Sequence, residues 1–189
     1  MNKTMIKMLV FTEIFFFMSL IMAYVYMVYY GDTRSTNELY ELHISTTGIF
    51  TLVLLSSSMT FYFAEKNYEK GNMKQLKTWL IVTVLLGAIF LYGQGSEYYR
   101  LINEQITLGA SVFGTNFFTL TGFHGFHVFV GLVLISILIT MAFLGDFKDN
   151  NSTVIQTIGI YWHFVDAVWI VVFTVIYVLP GFMDLKIKA

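Results

Sequence analysis

Five long apolar runs, separated by short polar stretches, account for most of the chain. They span about Ile6–Tyr30, Ile44–Ala64, Leu76–Ser96, Phe117–Leu144 and Val154–Leu179. A helix rising about 1.5 Å per residue needs roughly 20 residues to cross a hydrocarbon core about 30 Å thick, and each run is long enough. None alternates strictly between apolar and polar positions as a membrane β-strand would. The pattern therefore predicts an all-α membrane protein, a bundle of five transmembrane helices forming a single transmembrane domain over residues 1–189. The polar stretches Asp32–Glu41, Glu65–Lys77, Glu97–Asn116 and Gly145–Thr153 leave no room for a second domain. The end of the third, Ile106–Phe113, is apolar enough to lie at the lipid interface. The first run exceeds a typical signal-peptide core and lacks a small-residue cleavage site, so it is expected to stay in the mature chain. The single proline, Pro180, is expected to follow the last run and leave the helix interiors unkinked.

Composition strengthens this reading. Of 189 residues, 57% are apolar and only 12% charged, about half the charged share of a soluble domain. Mean hydropathy is +0.69. Aromatics reach 18%, and tyrosine and tryptophan favour membrane interfaces. A net charge of −1 argues against nucleic acid as a partner. Without cysteine, the chain has neither thiolate metal sites nor haem attachment through Cys-x-x-Cys-His.

Lysine and arginine placement sets the expected orientation. Lys3, Lys7, Lys66, Lys70, Lys74, Lys77 and Lys148 fall on one side, against Arg34, Arg100, Lys186 and Lys188 on the other. The N-terminus is thus expected in the cytoplasm and the C-terminus in the periplasm.

Ionisable groups within hydrocarbon are costly and call for named partners. Glu13, flanked by Phe11, Ile14, Phe15, Phe16 and Phe17, is the clearest. It suits proton handling, and equally a hydrogen-bonded structural acid. His124 and His127 lie one turn apart on the fourth run, with Gly122 and Gly125 allowing close approach of a helix or lipid. A metal there would need further ligands, with His163, Glu13 or Asp166 as candidates. On the fifth run, the spacing lets His163 and Asp166 hydrogen-bond to each other, and Trp162, Asp166 and Trp169 form one stripe that glues a helix into a bundle or belongs to a relay. Depth along the helices makes His163 the better match for Glu13, with His127 an alternative. Glu97, among tyrosines at the end of the third run, reads as an interfacial anchor.

Two stretches, Thr121-Gly-Phe-His-Gly-Phe-His-Val-Phe-Val-Gly131 and Tyr161-Trp-His-Phe-Val-Asp-Ala-Val-Trp169, resemble the most recognisable segments of subunit III of haem-copper terminal oxidases. Phe11-Thr-Glu-Ile-Phe-Phe-Phe17, Gly93-Gln-Gly-Ser-Glu-Tyr-Tyr99 and Phe113-Gly-Thr-Asn-Phe-Phe118 are similar to further family segments, in the same order. The resemblance implies the five-helix bacterial form, starting at the third helix of the seven-helix mitochondrial one. The lipid-filled cleft of that larger form would then lack a wall here. It implies an accessory chain in the bacterial inner membrane with no redox centre of its own, haem and copper being carried by partner subunits. Its expected partners are subunit I, as the main contact, other oxidase subunits, and bound phospholipid. Its expected role is to stabilise subunit I and support proton uptake and sustained turnover in aerobic electron transport. Glu13 matches the family's carbodiimide-reactive acid. One departure is Met59-Thr-Phe-Tyr-Phe-Ala-Glu65, where mitochondrial members carry a Trp-Ala-His-His run.

The motifs do not separate a cytochrome c oxidase from a quinol oxidase or nitric oxide reductase. An independent proton channel using Glu13, His127 and His163 is a second class, weakened by the lack of an inverted repeat. A metalloenzyme built on the histidines is a third.

Overall fold

A computed structural model of the chain describes residues 3–29, 44–109, 111–145 and 152–180. Five helices result: α1 (Lys3–Tyr29), α2 (Ile44–Glu69), α3 (Met73–Asn103), α4 (Val112–Leu144) and α5 (Ser152–Phe173), the last continuing as a π-helical turn over Thr174–Val178. All five are long and apolar enough to cross a membrane, and the described residues contain no strand. The protein is an all-helical, multi-pass integral membrane protein. Arg34, Lys148, Lys186 and Lys188 lie outside the described residues.

Local chemistry fixes the helix ends. Asn72 caps α3 by accepting a hydrogen bond from the Gln75 N–H at 3.2 Å. Between α2 and α3 the chain turns through Gly71 at φ +72°, which a side chain would strain. Ser111, extended at φ −144°, caps α4 through Gly114 N–H, and Gly145 ends that helix in the left-handed region. The helices overrun the apolar runs because polar first and last turns add to them. Two stretches gain detail here. Ile106 and Phe113, at the ends of the apolar stretch before α4, are buried against the bundle, and α4 begins at Val112. Pro180 follows the last apolar run and closes the last helical turn. The wider π turn precedes it, where the proline supplies no N–H to the helix.

Packing is nearly cyclic. α1 lies against α4 and α5, α4 against α3, α3 against α2, and α2 against α5, while α4 also packs on α5. Buried aromatic rings fill the centre, including Phe61, Phe90, Phe113, Phe117, Trp162 and Trp169. Helices reach them through glycine: a Cβ on Gly131 would stand 2.6 Å from the Trp162 ring, leaving no space for alanine.

Candidate functional site

Polar side chains in the bundle form separate groups at different depths. The first joins α1 and α4. Glu13 lies ten residues into α1, about 15 Å from its start. Its Oε2 is 3.2 Å from His127 Nε2, and both side chains are half-buried among Phe16, Phe17 and Phe126. His127 Nδ1 lies 2.7 Å from the Phe123 carbonyl oxygen. A carbonyl only accepts, so Nδ1 carries a hydrogen and donates it. Nε2 therefore meets Glu13 either as an acceptor facing a protonated acid or as a donor facing a carboxylate. In both cases one proton lies between the two groups. Tyr161 on α5 backs the pair, its hydroxyl donating to the His127 carbonyl at 3.1 Å.

His127, not His163, is thus the partner of Glu13. Depth along the axis matched His163 well enough, but depth says nothing about which way a side chain faces. His163 faces α2, where Ser58 Oγ lies 2.7 Å from its Nδ1 and the Phe61 ring packs edge-on. The expected His163–Asp166 bond is absent: Ser58 takes the histidine instead. Asp166 is 3% exposed, and neither carboxyl oxygen has a hydrogen-bond partner among the described residues. The Ser58 hydroxyl lies beside that carboxyl as well, without well-formed hydrogen-bond geometry.

The Trp162–Asp166–Trp169 stripe is buried, as its spacing requires. Both indoles donate to α2, Trp162 Nε1 to Ser57 Oγ at 3.2 Å and Trp169 Nε1 to Thr51 Oγ1 at 3.0 Å. His124 is wholly buried. Its ring stacks on Trp169 at 4.7 Å and meets Phe90 and Phe17 edge-on, and neither nitrogen has a hydrogen-bond partner among the described residues. One turn apart in sequence, His124 and His127 occupy different surroundings. The described residues hold no group of three or more His, Cys, Asp or Glu able to bind a metal ion. A metal shared by these histidines does not fit that arrangement.

Glu97 does more than anchor an interface. Its Oε2 accepts from Thr47 of α2 and Tyr177 of the π turn, each at 2.9 Å, and Arg100 lies 3.7 Å from Oε1. Beside it, Gln94 Nε2 donates to the Thr121 carbonyl at 2.7 Å, and Tyr98 Oη lies 2.7 Å from Thr121 Oγ1. Gly122 and Gly125 make room for these α3 side chains, the second facing Gln94 and the first Tyr98. Sequence reasoning missed the hydroxyl partners on α2 (Thr47, Thr51, Ser57 and Ser58) because lone hydroxyls in an apolar run carry no pattern of their own.

With this geometry in hand, the likenesses to known proteins become informative. The sequence model of the cytochrome c oxidase subunit III family matches residues 2–180. A Mycobacterium leprae protein named "Probable cytochrome c oxidase subunit 3" is 40% identical over 137 residues, covering 72% of this chain and 68% of that one. The cytochrome c oxidase subunit 3 of Corynebacterium diphtheriae is 37% identical over 138 residues, 73% and 67% of the two chains. The cytochrome bo(3) ubiquinol oxidase subunit 3 of Pseudomonas aeruginosa is 35% identical over 169 residues, 89% and 80%.

Proposed function

We propose a role for the chain on one premise: it belongs to the cytochrome c oxidase subunit III family. As a subunit III it is a membrane-embedded part of a haem-copper oxidase complex. Within that complex we assign it an accessory role. It packs against subunit I, holds phospholipid at its apolar faces and supports proton uptake during sustained turnover. Haem and copper stay on the partner subunits, and oxygen reduction takes place there. The bundle lies in a bacterial inner membrane with its N-terminus in the cytoplasm. The relatives of Mycobacterium leprae and Corynebacterium diphtheriae, 40% and 37% identical, are named for cytochrome c, which favours cytochrome c over quinol as the donor to the complex.

One observation carries the proton-uptake part. The Glu13–His127 contact at 3.2 Å requires a proton between its members, because Nδ1 is already committed to the Phe123 carbonyl. Both side chains are only partly buried in the bundle. The test is to reconstitute the complex with Glu13→Gln and count turnovers before inactivation, alongside proton uptake. The account expects an assembled complex that inactivates several-fold sooner. Unchanged endurance and uptake would remove Glu13 from the proton path.

A further inference from the structure

α1 and α2 both pack on α5 but make no substantial contact with each other, so α5 forms the floor of a concave face between them. On the α1 side, this floor is a groove of about 410 Å³ with an almost wholly apolar lining, Phe17 and Met18 opposing Phe164 and Val171. Along the middle of α5, His163, Ala167, Ile170 and Thr174 follow at steps of four, three and four residues, one helical stripe. Ala167, Ile170 and Thr174 are exposed, and His163 is half-buried at the α2 edge.

His163 differs from the serine and threonine hydroxyls that reach the lipid-facing surface. The exposed hydroxyls of Thr12, Ser19, Ser56 and Thr140 all donate back to carbonyls of their own helices. Glu13 and His127 satisfy one another. His163 spends only Nδ1, on Ser58, and its Nε2 has no hydrogen bond among the described residues. It lies eleven residues into α5, about 16 Å from the helix start, well inside hydrocarbon. An acyl chain offers no hydrogen bond at that depth. A neighbouring helix does, and the small Ala167 next to His163 lets one approach closely.

We infer that this concave face seats a transmembrane helix of a partner subunit, which presents a hydrogen-bonding side chain to His163 Nε2. The inference rests on the accessory-subunit reading and adds the face of contact. On the outer faces of α3 and α4, Leu85, Phe126 and Val133 are exposed apolar side chains suited to lipid.

Photo-crosslinking in the intact complex, in native membranes, tests this. A benzophenone side chain is placed at Ile170, with Leu85 and Val133 as controls. The expected result is an adduct between Ile170 and a haem-bearing oxidase subunit, with the controls yielding lipid adducts. Lipid adducts alone at Ile170, or a second copy of this chain, would overturn the inference while leaving the accessory role intact if the complex still co-purifies. Failure to co-purify with any haem-bearing subunit would overturn both. A second arm compares His163→Phe with His163→Asn. Retention of the partner should fall several-fold in the first and recover in the second, and equal retention would contradict the inference.

Discussion

With Nδ1 of His127 bound to the Phe123 carbonyl, the contact to Glu13 cannot form without a proton between the two side chains. Glutamine at position 13 can donate an amide N–H to Nε2 and preserve the link. Glu13→Gln is therefore expected to assemble normally and to lose reaction with a hydrophobic carbodiimide, which needs a carboxyl group. Labelling that survives in this variant would mean the reactive acid lies elsewhere. Spacing lets Asp166 hydrogen-bond to His163. The structure moves that role to Ser58, 2.7 Å from Nδ1. Ser58→Ala should destabilise the bundle by about 1 kcal/mol, the scale of hydrogen bonds between membrane helices, read as an earlier unfolding midpoint in detergent titration. Asp166→Asn should cost less, because neither oxygen of that carboxyl has a hydrogen-bond partner among the described residues. An inverse ranking would contradict the assignment.

Among the helices, hydrophobic length found every element, and each of the five runs of the sequence coincides with one of the five helices among the described residues. It could not find which faces meet. Sequence spacing gives azimuth within one helix, whereas pairing depends on rotation about all five axes at once. That is why Glu13 on α1 was matched in depth to His163 yet meets His127. The α4–α5 crossing shows what pairing rests on. Trp162 lies across Gly131, with ring carbons 2.6 and 2.7 Å from where a Cβ would stand. Gly131→Ala overpacks this contact and should cost about 1–3 kcal/mol. Gly95→Ala, with nothing within 4 Å, is the matched control and should be close to neutral. The comparison is read as yield of assembled protein and thermal midpoint. Equal values for both variants would show that the crossing tolerates a methyl group.

At the scale of the whole molecule, the bundle distributes its polar groups rather than gathering them. Glu13 and His127 lie between α1 and α4, Ser58 and His163 between α2 and α5, and Glu97 ties α2, α3 and the π turn. Bare sequence left a metal site or an isolated proton channel open, since three histidines and two acids fall within hydrocarbon runs. Their dispersal fits a chain that contributes packing, a proton-holding pair and an outward-facing histidine to a larger assembly. Family resemblance was legible in five motifs, while the α2 hydroxyls that tie the bundle together became visible only in three dimensions. The most direct test of the account is gentle purification through a tag on this chain, followed by subunit identification, a haem spectrum and metal analysis. The account predicts co-migration with haem-bearing oxidase subunits in fixed proportion. A chain that purifies alone and moves protons in liposomes, or that by itself holds one tightly bound metal ion, would contradict it.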